Sequence, residues 1–90
     1  MRFPTVHLNG TAGDELLAQL EKAKRAVWTA RCALADAHPN ARDYYPQGND
    51  AYLEVADEHS KRTEKLSEVE RELRDMAEAV AEQLAERKRR

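Results

Sequence analysis

The stretch Arg42-Asp43-Tyr44-Tyr45-Pro46-Gln47-Gly48 holds the densest group of side chains able to contact a ligand. Tyrosine rings stack on a base or sugar, and their hydroxyls bond phosphate or ribose. Arg42 offers a planar fork that suits phosphate, and Gln47 has the donor and acceptor to read a base edge. With Tyr52, three of the five aromatic residues fall in the nine positions 44–52. The alternative is structural: the tyrosines plug the end of a loop and Arg42 pairs with Asp43. His59 and Arg62 stand at positions where the hydrophobic repeat calls for apolar residues. There they can fix register and oligomeric state or face a ligand, and Glu58 lies four residues before Arg62. His7-Leu8-Asn9-Gly10-Thr11 leads into a helix start, where free N–H groups beside Asn9 and Thr11 form either an anion site or a plain cap. Trp28, on the outward side of its helix near Lys24, Arg31 and Cys32, reads as an interface anchor.

Catalysis and metal chemistry find no support in the same survey. No nucleophile, base and orienting group stand in a recognisable arrangement. His7, His38, His59 and Cys32 lack metal-ligand spacing. The expectation is a chain that is not an enzyme and needs no cofactor. Lys and Arg number 15 against 17 Asp and Glu, for a formal charge of -2. That balance argues against a general nucleic-acid or membrane binder. The basic run Arg87-Lys88-Arg89-Arg90 follows an acidic stripe of Glu78, Glu82 and Glu86, and reads as a solvated helix end. Charged residues make up 36% of the chain and hydrophobic ones 41%, many of them alanine, so apolar side chains are too few to fill a broad α/β core. The single cysteine excludes a disulfide framework within the chain. No apolar run approaches the roughly 20 residues that span a bilayer, and the first residues lack a signal-peptide pattern. A cytoplasmic location is expected, and Asn9-Gly10-Thr11 is read as a chance sequon.

These residues must be positioned by four segments. Residues 1–10 form an extended arm, with Pro4 blocking helix and Asn9-Gly10 marking a turn. Residues 11–37 are helical, with Thr11 and Asp14 at the start as a cap and His38-Pro39 as the stop. Residues 38–49 form a loop with two prolines and a glycine. Residues 50–88 form a second helix, capped by Asn49 or Asp50. The hydrophobic stripe runs Leu16, Leu20, Ala23, Val27, Ala30, Leu34, Ala37 in the first helix. In the second it runs Val55, His59, Arg62, Leu66, Val69, Leu73, Met76, Val80, with Ala77 and Leu84 taking over as it drifts. Two such stripes predict an all-α, antiparallel, coiled-coil-like αα-hairpin of one domain, residues 1–90. The alanines at 23, 30 and 37 would admit close approach, and His59 would face Val27 and Trp28. At 1.5 Å per residue the helices measure about 36 and 57 Å. About a dozen residues of the second therefore overhang, with Met76, Val80 and Leu84 still apolar. The arm folds along that overhang, and a second protomer is expected to cover it too. Met76, Val80 and Leu84 thus join Trp28 as interface candidates.

Thr5-Val6-His7-Leu8-Asn9-Gly10-Thr11 and Asn40-Ala41-Arg42-Asp43-Tyr44-Tyr45-Pro46-Gln47-Gly48 resemble motifs of a group of small uncharacterised proteins encoded by bacteriophages and prophages. The resemblance covers most of the chain, including His59 and Arg62; Ala41 stands where glycine is expected in the group's loop. It implies a host-cell setting and brings no activity with it. Size and hairpin shape are also similar to phage anti-defence sponges, oligomers that sequester nucleotide signals of immune systems such as CBASS and Thoeris. That second likeness rests on architecture rather than motifs.

The resulting expectation is a non-catalytic homo-oligomer. It binds a nucleotide-like or phosphorylated ligand between protomers, through Arg42, Tyr44, Tyr45, Gln47, His59, Arg62, Asn9 and Thr11. A single pocket using both motifs needs a neighbouring protomer, because they lie at opposite ends of a helix of about 36 Å. The alternative is a structural or interaction module, serving assembly or a host protein, with no small ligand. A nucleic-acid regulator acting through the basic tail ranks last.

Overall fold

Pro4 withholds an amide donor and keeps the first residues out of helix, and the chain enters its first helix only after a turn in which Gly10 N–H donates to His7 C=O at 3.2 Å. The computed structural model describes residues 1–89. It contains α1 (Gly13–Asp36), two short 3₁₀ turns (Ala41–Asp43 and Tyr45–Gln47) and α2 (Ala51–Arg89). Among the described residues there is no strand, and no helix is long and apolar enough to cross a membrane. Arg90, the last of the basic run, lies outside the described residues.

The start of α1 differs from the expected cap. Ala12 occupies the N-cap without a side-chain bond, and its carbonyl accepts from Leu16 N–H at 2.9 Å. Thr11 does not cap the helix. The reason is tertiary: buried Gly13 lies under Leu84 and Val6, and a Cβ there would stand 3.2 Å from Leu84 Cγ and from Val6 Cγ1. The arm's packing thus sets where the helix begins. Asp14 and Glu15 in the first turn still complement the helix dipole. At the other end Ala37 N–H reaches Ala33 and Leu34 C=O, both at 3.1 Å, before Pro39 stops the helix. Asn40 Oδ1 accepts from Arg42 N–H at 3.0 Å, which closes the first 3₁₀ turn. Ala41 needs no glycine there, since no non-glycine residue among those described has positive φ. Gly48 has φ 117 and redirects the chain into α2. Asp50 C=O accepts from Glu54 N–H at 3.1 Å, so Asp50 holds the N-cap position of α2.

The two helices pack as a helical hairpin. Contacts step back along α2 as α1 advances: Gly13 meets Leu84, Arg31 pairs with Glu70, and the His38 and His59 rings meet edge-on with centroids 5.2 Å apart. His59 therefore faces His38, not Val27 and Trp28. The loop carries the chain about two helical turns past the end of α1 before α2 begins at Ala51, so His59 returns to the level of His38. At the other end Leu84 lies opposite Gly13, so α2 outruns α1 there by residues 85–89 and not by the expected run of about a dozen. The stripe on α2 also shifts in phase. His59, Thr63, Leu66, Glu70, Leu73, Ala77, Val80 and Leu84 face inward, while Arg62 and Val69 are exposed. A 3.6-residue helix drifts off a 3.5 repeat within two turns. Ala30 and Ala37 are exposed for the same reason.

The core sits entirely at the end away from the loop. Val6, Leu20, Ala77 and Val80 are buried, with Leu16, Leu17, Leu73, Met76 and Leu84 packed around them. Each fully buried valine or leucine contributes about 1.5–3 kcal/mol. The arm is tied down by Gln83, whose Oε1 accepts from Val6 N–H and whose Nε2 donates to Pro4 C=O, both at 2.8 Å. Arg87 donates to Val6 C=O at 2.8 Å. Val80, at 0% exposure, thus belongs to the chain's own core and is no interface residue. Met76 and Leu84 are half-buried under the same cover.

Candidate functional site

The tyrosine loop is presented outward. Tyr45 is 71% exposed, Arg42 and Gln47 are exposed, and Tyr44 and Tyr52 are half-buried. Tyr44 closes the first 3₁₀ turn and opens the second through its backbone: its N–H donates to Ala41 C=O at 3.1 Å and its C=O accepts from Gln47 N–H at 2.9 Å. Arg42, Tyr45 and Gln47 are thus held at a defined place without being enclosed.

The other expected ligand residues do not join them. His59 is 6% exposed, packs on His38, and its Nε2 has no hydrogen-bond partner. Arg62 points to solvent beside Glu58, 3.6 Å away. Asn9 and Thr11 are exposed next to the arm, a full length of α1, about 36 Å, from the loop. The eight residues therefore fall in three places, and His59 has its own chain on the side expected to face a ligand. Trp28 is 58% exposed on α1, consistent with an outward position.

A feature invisible in the sequence lies midway along the rod. Lys24 and Arg31 of α1 and Ser67, Glu70, Arg71 and Arg74 of α2 line a groove of about 300 Å³. Arg31 bonds Glu70 across it. Lys24 pairs with Glu21 at 3.2 Å, and Arg74 with Asp75 at 3.3 Å and Glu78 at 3.9 Å. Spacing alone places Lys24 and Arg31 two turns apart, and Arg71 and Arg74 one turn apart, each pair on one face. That the two faces meet depends on the register. A second groove, of about 540 Å³, runs between the arm and α2 beside Phe3, Gln83 and Arg89.

Among the titrating groups, Lys61 is held above its ordinary 10.5 by its hydrogen bond to Asp57 and then by that carboxylate's charge. The pair is exposed and distant from both grooves along the surface of α2, so it supports the helix rather than a site. No group of three or more His, Cys, Asp or Glu able to hold a metal occurs among the described residues. No protein-family model, no curated protein and no solved structure matches this chain.

Proposed function

We propose that the chain is a non-catalytic, antiparallel helical hairpin that works by associating with a second copy of itself. One observation carries this reading. The accessible surface is 7054 Å², whereas a folded monomer of 10.3 kDa exposes about 5,400 Å². The surplus, roughly 1,700 Å² on one chain, is about twice the roughly 800 Å² that a standard protein–protein contact removes from each partner, so it leaves room for an extensive interface with a second copy. The shape agrees: the radius of gyration is 19.3 Å against about 12 Å for a compact domain of this length. No residue of α1 beyond Leu20 is buried, so the loop half of the rod is where a partner copy adds most. Sedimentation velocity at micromolar concentration tests the reading. A dimer or larger species is expected, and an elongated monomer across the accessible range refutes it.

A second reading, favoured by the exposure of Arg42, Tyr45 and Gln47, is capture of a nucleotide-like or phosphorylated ligand between copies, in the manner of a phage protein that sequesters a host immune signal. A bound ligand raises thermal stability by about RT ln(1 + [L]/Kd). Under this reading a nucleotide panel yields a shift that Tyr45→Ala removes with helix content intact. A panel without a shift leaves association alone, whether with a copy or with a host protein.

A further inference from the structure

We propose that the groove between the helices is a binding site for a small phosphorylated molecule bearing a flat ring. Four cationic side chains, from Lys24, Arg31, Arg71 and Arg74, converge there with the Ser67 hydroxyl and a single carboxylate, Glu70. The acids that pair with Lys24 and Arg74, namely Glu21, Asp75 and Glu78, stand outside this lining, so the positive charge is confined to the groove's floor and walls. Arg71 has no ion-pair partner among the described residues, and Arg31 Nε is buried without a hydrogen-bond acceptor. The Arg31 Nε has no surface that a ligand could touch, so the exposed Arg71 is the side chain free to turn to an anion, and arginine forks suit a phosphate's geometry.

The competing pairs are weak enough to yield. Lys24–Glu21 and Arg74 with Asp75 and Glu78 are partly exposed, and solvent screening leaves such pairs little net attraction. The same acids flank the groove on both helices and repel an extended polyanion, which would have to cross them. A compact, multiply charged phosphate avoids that repulsion by concentrating its charge in the centre. A volume of about 300 Å³ accommodates a diphosphate. The ring follows from Trp28, four residues after Lys24 and three before Arg31, hence on the same face of α1. Trp28 does not line the groove itself but stands one helical turn from both Lys24 and Arg31, and its ring, 58% accessible, is open to stack on a base that extends from the groove. The groove shares with the loop reading only the class of ligand, and different variants test the two.

Trp28 is the chain's only tryptophan, so its fluorescence reports on the site. Titration with ADP is expected to give saturable quenching that weakens with salt, while adenosine gives none. By calorimetry pyrophosphate binds several-fold more weakly than ADP. Arg71→Gln weakens ADP binding by tenfold or more with an unchanged far-UV helix signal, and Glu70→Gln strengthens it. Trp28→Ala brings ADP down to the level of pyrophosphate, and Trp28→Phe retains most of the difference. The proposal is overturned if ADP fails to saturate at millimolar concentration, if adenosine matches it, or if Arg71→Gln binds normally. It is equally overturned if Tyr45→Ala rather than Trp28→Ala removes the ring's contribution, or if an oligonucleotide outcompetes ADP. Sedimentation, read separately, keeps a failure here distinct from a failure of self-association.

Discussion

Replacing Gln83 with alanine removes two of the three side-chain hydrogen bonds that hold the arm against α2, leaving the one from Arg87 to Val6 C=O. One comes from Val6 N–H to Oε1 and the other runs from Nε2 to Pro4 C=O, each at 2.8 Å. Two neutral bonds contribute about 1–3 kcal/mol together. The variant should therefore raise the population of the detached arm roughly 5- to 150-fold. Detachment also uncovers Val6, which is 7% exposed, and Val80, which is 0% exposed, so the open state is itself penalised by the lost burial of about 1.5–3 kcal/mol per valine. Hydrogen exchange read at the Val6 amide measures this opening directly. Exchange at Val6 should accelerate by that factor in Gln83→Ala, while amides in the middle of α2 keep their rates. Gln83→Glu keeps the acceptor for Val6 N–H but loses the donor to Pro4, and should fall between the two. Equal Val6 rates in the parent and Gln83→Ala, or an unprotected Val6 in the parent, would show that the arm is not held this way.

Other perturbations separate buried from exposed groups. His59→Leu removes a buried ring nitrogen that has no partner and should raise stability to urea by about 1 kcal/mol; a fall would mean that the nitrogen is satisfied in solution. Gly48→Ala forces a side chain into φ 117 and should cost about 1–3 kcal/mol in thermal unfolding with the helix signal retained; no change in Tm would contradict that backbone geometry. Lys61 is held above its ordinary 10.5 by Asp57. Its small contribution is therefore full below that value and is lost as pH rises through the raised one. Asp57→Asn should remove this alkaline loss of helicity, and an identical pH profile would refute it.

Helix existence and extent were legible from the residues because periodicity and stop signals are local. Pro39 ends α1 within two residues of the expected boundary, and Ala51 opens α2 one residue after the expected start. The arm's place beside Val80 and Leu84 followed from those apolar positions, but the expected overhang of about a dozen residues did not form: Leu84 meets Gly13 and Val80 packs with Leu16 and Leu20, so Met76, Val80 and Leu84 lie opposite α1 itself. What remained hidden was everything that depends on register. Thr11 yields the cap to Ala12 because Gly13 is drawn under Leu84. Arg62 turns outward and Thr63 inward because the stripe shifts phase by one residue over α2. His59 meets His38 because the loop carries the start of α2 about two turns past the end of α1. The candidate ligand residues were chosen by type, and type does not report distance. Tyr45 and Arg42 share the loop, whereas Asn9 and Thr11 sit at the far end of α1.

By itself the sequence determined two amphipathic rods, their lengths and the presence of an aromatic loop, since each follows from contacts within a few residues. Only the tertiary structure decided which faces meet, and with them the small core at one end and the basic groove midway along the rod. A helix's pattern states that one side is apolar, but the sliding of one rod along another is set by the loop and by the few side chains, Leu84 and Glu70 among them, that find partners across the seam.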